Sequence, residues 1–197
     1  MSTHELPASD KLLIQMSGAP GSGKSTVATI LRQRIGGVVI NHDVIRSSLL
    51  ESSMPFAQAA EQAYRLQWAL AGDVMKQDHN IIIDSTCNYQ QILDQGAALA
   101  EKFGYTYWYV ECKVEDIYLL DQRLRTRVSM ASQRTGVDCP PAAAVSPAGH
   151  PNTLMSCQSL FKKWIENPSR PEKNGIVVDS TGDPDIIVDG ILQQVIR

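Results

Sequence analysis

Gly18-Ala19-Pro20-Gly21-Ser22-Gly23-Lys24-Ser25 fits the spacing G-x-x-x-x-G-K-[ST]. Its flanks decide what it means. Lys11 to Ser17 (KLLIQMS) reads as a short buried strand, and Lys24 to Arg34 (KSTVATILRQR) as a helix. A glycine loop between a strand and a helix is the setting in which this pattern holds phosphate. Gly18, Gly21 and Gly23 allow backbone angles closed to other residues and keep side chains away from an anion. The loop's backbone N–H groups turn inward as an anion nest, and the start of the helix adds unpaired N–H groups and its positive dipole end. The expected nucleotide-binding set is therefore Gly18, Ala19, Pro20, Gly21, Ser22, Gly23, Lys24, Ser25 and Thr26. Lys24 is expected to reach the β- and γ-phosphates, Ser25 to ligate Mg²⁺, and Thr26 to touch the α-phosphate. The plain alternative is a glycine-rich turn with no ligand.

A chain of 197 residues is long enough for a real core and reads as one domain over 11–197, preceded by a mobile polar tail at 1–10. The formal net charge of −3 is not the footprint of a protein gripping long nucleic acid through many phosphates. Cys87, Cys112, Cys139 and Cys157 are widely spaced, which argues against a zinc site and a disulfide framework. Reduced thiols in a cytoplasmic protein fit that usage. The first ten residues lack an apolar signal-peptide core, and no apolar run approaches the length of a membrane span.

Strands and helices then alternate. Further strands are expected at Val38–Asn41, Ile81–Asp84, Tyr105–Cys112 and Gly175–Asp179. Helices are expected from Val44 to Ser52, Pro55 to Gln77, Gln90 to Phe103, Ile117 to Val128, Leu154 to Ile165 and Asp185 to Ile196. Tyr64, Trp68 and Met75 recur at near-helical spacing and read as a core face. Residues 129–152 carry Pro140, Pro141, Pro147 and Pro151 and are too long for an ordinary connection. They read as a lid or as disorder, and with Arg123 and Arg127 they define a lid region of about 123–152. Alternation of this kind implies an α/β fold, a parallel sheet with helices on both faces, and ligands bind at the carboxyl edge of such sheets.

Polar groups gather at those strand ends. Asp43 follows the second strand; it is either a helix N-cap or a general base for an attacking hydroxyl. Arg46, three residues on, is either its local ion-pair partner or a contact for an anionic group on the acceptor. Asp84, Ser85 and Thr86 follow the third strand, and Asp84 is either a cap for the helix near Tyr89 or a carboxylate that holds Mg²⁺ through its water shell. Asn88 is a candidate for acceptor binding. Arg123 and Arg127 are four apart on one helix face, with Arg125 pointing elsewhere. They form a solvated basic face or reach the transferring phosphoryl group. Ser180, Thr181 and Gly182 are candidates for an adenine pocket.

The set GAPGSGKS at 18–25, D-x-x-R at Asp43 to Arg46, IIIDST at 81–86 and R-x-x-x-R at Arg123 to Arg127 resembles one group of P-loop kinases, labelled AAA-type. It includes the polynucleotide 5′-hydroxyl kinases, chloramphenicol phosphotransferase and the zeta toxins. The resemblance covers roughly residues 11–185. It implies a five-stranded parallel sheet in the order 2-3-1-4-5, ATP and Mg²⁺ as cofactors, Asp43 as base, Arg46 on the acceptor, and Arg123 and Arg127 in the lid.

The leading expectation is an ATP-dependent kinase acting on a hydroxyl of a small molecule. An oligonucleotide 5′-hydroxyl kinase is the second. A nucleotide-dependent switch, recognisable by turnover that ignores any acceptor, is the third. The chain has no N-K-x-D and no L-S-G-G-Q motif, which speaks against classical GTPases and transporter ATPases.

Overall fold

The computed structural model describes residues 11–144 and 154–196, so the expected tail at 1–10 and the last part of the expected lid, 145–152, lie outside it. Five strands form one parallel sheet: β1 (Leu12–Ser17), β2 (Val38–Asn41), β3 (Ile81–Asp84), β4 (Thr106–Lys113) and β5 (Gly175–Asp179). Their spatial order is β2-β3-β1-β4-β5, as the family resemblance implied. The helices are α1 (Lys24–Ile35), α2 (His42–Glu51), α3 (Phe56–Met75), α4 (Gln90–Phe103), α5 (Ile117–Thr126), α6 (Leu154–Glu166) and α7 (Pro184–Val195).

The sheet has this layering because β1 buries apolar side chains on both faces. Side chains alternate along a strand, so Leu12, Ile14 and Met16 face one side and Leu13 the other. The first three join Val27, Ala28 and Leu31 of α1 and Val188 and Ile191 of α7. Leu13 meets Ala71 and Met75 of α3 and Ala100 of α4 on the opposite face. Burying each such side chain contributes about 1.5–3 kcal/mol, which holds β1 at the centre of the sheet. On β4 the split expected from alternation is present, with Trp108 and Val110 on the first face and Tyr107 and Tyr109 on the second.

Gly104 ends α4 in the left-handed conformation, φ 72°, its N–H returning to the Ala100 carbonyl. Several boundaries differ from expectation, among them the start of α2 at His42 rather than Val44. Strand β4 begins at Thr106, and α5 stops at Thr126 because Arg127 takes an extended conformation, φ −78° and ψ 153°. Arg127 is thus the first residue of the connection rather than part of the helix face. Among the described residues no helix is long and apolar enough to cross a membrane, and all four cysteines are free.

Candidate active site

The carboxyl ends of β1, β2, β3 and β5 open into a cleft of about 1030 Å³. At its centre lies the loop after β1. Gly18, Gly21 and Gly23 all have positive φ, at 127°, 87° and 93°. Their roles differ. A Cβ on Gly18 would stand 2.2 Å from the Cys112 carbonyl oxygen, so this glycine lets the loop pack against β4. A Cβ on Gly23 would meet nothing and would project into open space. Pro20, Gly21, Gly23, Lys24, Ser25 and Thr26 line the cleft, while Gly18, Ala19 and Ser22 are buried behind it.

Lys24 folds over the loop and donates to the carbonyls of Gly18 (2.9 Å) and Ala19 (3.0 Å). Burial holds its ammonium below the ordinary lysine range, against the pull of Asp84. Asp84 is itself buried, and burial raises its carboxyl, while the Ser25 hydroxyl and Lys24 favour its charged form. A charged lysine held this dry gains from an incoming anion.

The tip of β2 carries a residue whose role the sequence did not reveal. Asn41 pairs with Asp84 in the register of the sheet. Its Nδ2 donates to Asp84 Oδ2 (3.1 Å). Its Oδ1 accepts from the backbone N–H groups of Asp43 (2.9 Å) and Val44 (3.2 Å). One amide therefore braces Asp84 and starts α2. This corrects the capping alternative for Asp43, since Asn41 is the N-cap and Asp43 lies in the first turn with its carboxylate not engaged in capping. Asp84 caps no helix either; Tyr89 occupies that position for α4.

Arg46 does not turn towards Asp43. Its guanidinium stacks on Phe56, 4.1 Å from the ring centroid. Its Nε is buried without a hydrogen-bond partner, and burial lowers its pKa from the usual arginine value. Arg127 shows the same two features, with one NH2 donating to the Arg134 carbonyl at 3.0 Å. Arg123 also lines the cleft, but its donors go to the Ser180 carbonyl (3.2 Å) and more distantly to Gly21 (3.5 Å). Arg125 points away, as its spacing predicts, to Asp121 and Asp138.

Asn88 sits in the cleft wall. In the orientation that satisfies its amide, it donates to the Thr86 carbonyl (3.0 Å) and accepts from the Trp164 indole (3.2 Å). Of the three expected adenine-pocket residues, Ser180 and Gly182 reach the cleft and are joined there by Pro184 and Ile187; Thr181 does not. Tyr64 is not only a core residue. Phe56, Ala60 and Tyr64, at intervals of four on α3, face the cleft, and the core stripe takes over at Ala71 and Met75. Tyr64 stacks with His42, centroids 4.1 Å apart, and burial keeps the imidazole below its usual pKa and so neutral near pH 7.

Beyond α5 the chain from Arg127 to Ala144 is a connection without α-helix or strand. It crosses the cleft as a strap of turns, bringing Met130, Ser132, Gln133 and Arg134 to the cleft wall. Gln133 donates to Asp43 Oδ2 at 2.8 Å.

This arrangement agrees with the family comparison. The AAA domain family model matches residues 13–138. The chain belongs to the AAA domain family. No curated protein sequence matches it. Solved structures share the fold of this AAA domain almost end to end. A protein from Chloroflexus aurantiacus j-10-fl superimposes with a TM-score of 0.69 at 15% identity, covering 95% of this chain and 97% of its own. APS kinase of Mycobacterium tuberculosis, solved with AMPPNP and APS, gives 0.60 at 15% identity, covering 94% and 97%. A gluconokinase from Sinorhizobium meliloti 1021 gives 0.58 at 16% identity, covering 94% and 91%. The AAA domain thus has the P-loop kinase fold.

Proposed function

We propose that this chain is an ATP-dependent kinase that phosphorylates a hydroxyl of a small acceptor. The observation that carries the reading is the convergence, in one cleft, of a phosphate loop, the Asp84 and Asp43 carboxylates, and two half-buried arginines whose Nε atoms lack partners. A nucleotide binder with no transfer function has no need of Asp43 and Arg46 on the far side of the phosphate site. The cleft is also large enough for a nucleotide and a second small molecule.

The residues divide the work. Loop N–H groups and Lys24 hold the β- and γ-phosphates, and Ser180, Gly182, Pro184 and Ile187 form the adenine side. Ser25 and Asp84, a hydroxyl and a carboxylate side by side, are hard oxygen donors of the kind Mg²⁺ takes when phosphates complete its shell. Bound there, Mg²⁺ would neutralise charge on the nucleotide's phosphates. Asp43 accepts the proton of the acceptor hydroxyl as its oxygen attacks the γ-phosphorus, and the bond to the β-phosphate oxygen breaks to release ADP. Arg127 stabilises charge on the phosphoryl group in flight. Arg46, stiffened by Phe56, faces an anionic group of the acceptor, because a half-buried guanidinium without a carboxylate gains most from an anion.

An oligonucleotide 5′ end is the second reading, favoured by Arg46, Arg127 and Arg134 together on the cleft wall. The test is a panel of hydroxylated metabolites and short oligonucleotides screened for acceptor-dependent ADP release, with mass analysis for a gain of one phosphoryl group. ADP release indifferent to every acceptor would favour the switch.

A further inference from the structure

We infer that Gln133 is a positioning residue for the catalytic base, an inference that rests on reading Asp43 as that base. The Gln133 amide is fixed at both ends. Its Oε1 accepts from the Met130 backbone N–H (3.2 Å), and its Nε2 donates to Asp43 Oδ2 (2.8 Å). Turning the amide over would set its oxygen against a carboxylate and its NH₂ against an N–H, so the orientation is determined. Ser132 anchors the same contact. Its hydroxyl donates to the Asp43 carbonyl (3.1 Å), and its N–H donates to Ser47 Oγ (3.0 Å) one turn further along α2.

The consequence is an asymmetric carboxylate. Asp43 Oδ2 is occupied, whereas Oδ1 has only a long approach from Ser132 Oγ at 3.4 Å. Oδ1 is therefore the oxygen that receives the proton. The acceptor O–H bond breaks, its proton goes to Oδ1, and its electron pair forms the new bond to the γ-phosphorus. The bond from that phosphorus to the bridging oxygen breaks, and its pair leaves on ADP. A base loose by about 1 Å can lose on the order of 10²-fold in rate, and Gln133 removes that looseness.

The assay is steady-state ADP release from ATP–Mg²⁺ with water as acceptor. Gln133→Met keeps the length and removes the donor; Gln133→Asn keeps the amide and withdraws it by one carbon. Both should slow release roughly 10- to 100-fold at saturating ATP, with the KM for ATP and the ATP-induced rise in Tm unchanged. Asp43→Asn should lose roughly 10²- to 10⁴-fold. Combining Gln133→Met with Asp43→Asn should cost no more than Asp43→Asn alone, because a positioner has nothing left to position. Wild-type rates in both Gln133 variants, beside an impaired Asp43→Asn, would overturn the positioning role and leave the base intact. Losses that multiply in the double variant would make Gln133 an independent structural contact. An unimpaired Asp43→Asn, or a wild-type rate no higher than that of Lys24→Met, would overturn the base and this inference together.

Discussion

Two glycines of one loop should fail in opposite ways when given a methyl group. Gly18→Ala places its Cβ 2.2 Å from the Cys112 carbonyl oxygen, where 3.0 Å is already closer than such atoms come. The loop or β4 must yield by roughly 0.8 Å, at a residue with φ 127°. Backbone strain of about 1–3 kcal/mol plus displacement of a central strand gives about 3–5 kcal/mol, the top of the range for one substitution. Gly23→Ala meets no atom within 4 Å. Its cost is the left-handed backbone alone, about 1–2 kcal/mol. At about 2–4 °C per kcal/mol for a chain of this size, Gly18→Ala should melt on the order of 10 °C low, and Gly23→Ala roughly 2–8 °C low. ATP–Mg²⁺ reverses the order. At a hundredfold excess over Kd it stabilises a binder by about 2.7 kcal/mol, or roughly 5–10 °C. Folded Gly23→Ala should lose most of that rise, because its methyl group enters the phosphate space. Thermal melting with and without ATP–Mg²⁺ measures both effects. A Gly23→Ala variant that rises as far as wild type, or a Gly18→Ala variant that melts with it, would refute the division of roles.

Three further outcomes are expected. Because burial depresses the His42 pKa, the unfolded chain protonates first as pH drops below about 6.5, so this residue's share of stability is present above that pH and is lost below it. With Asp43, Arg46 and Tyr64 left in place around it, His42→Phe should flatten the fall of Tm between pH 7 and 5. Equal slopes in the two proteins would show that His42 titrates normally. Arg170 closes a bidentate pair on Glu111 at 2.7 and 2.9 Å, with Tyr109 donating to the same carboxylate at 3.0 Å. Glu111 is buried and Arg170 half-exposed, so Arg170→Ala should cost about 1–3 kcal/mol in urea unfolding, below the full cost of a wholly buried pair. Finally, binding of a small anionic acceptor should weaken only modestly as salt rises, whereas an oligonucleotide held by several phosphates should lose affinity steeply. A steep slope coupled to 5′-end transfer would replace the small-molecule reading.

The parts of the site that were legible in the sequence are those that chemistry confines to short spacing. The glycine loop needs adjacent residues, and Asp43, Asp84 and Ser180 announce themselves as polar ends of apolar strands. The strand order came from family resemblance, since periodicity says that strands exist but not which are neighbours. The residues that were missed act across long separations. Gln133 reaches Asp43 from 90 positions away, and Asn41 reaches Asp84 from 43. Neither leaves a local pattern: Asn41 resembles any polar strand end, and Gln133 sits among prolines, serines and alanines that read as a lid or disorder. The Phe56, Ala60 and Tyr64 stripe was hidden for another reason. It shares helix α3 with a true core stripe, and spacing cannot tell a face that meets the sheet from one that meets a cleft.

The strap explains why so much of the proposed acceptor side depends on one connection. Its ties to the body are mostly polar: Val137 N–H to Asp121 Oδ1 at 2.7 Å, Asp138 to Arg125 of α5, and Ser132 and Gln133 to α2. Among the described residues, Val137 is its one side chain in the apolar cluster with Leu120, Leu124 and Phe161. Hydrogen bonds of this kind contribute about 0.5–1.5 kcal/mol each, no more than the cost of ordering the residues that make them. A segment so balanced opens at far lower cost than the sheet beneath it. That balance suits the proposed phosphoryl transfer, which would have to admit two substrates and then exclude water. It also ties the chemistry to closure. In the kinase proposed above, lifting the strap would take from Asp43 its partner on Oδ2, so the proposed base would be held in place only while the strap is down.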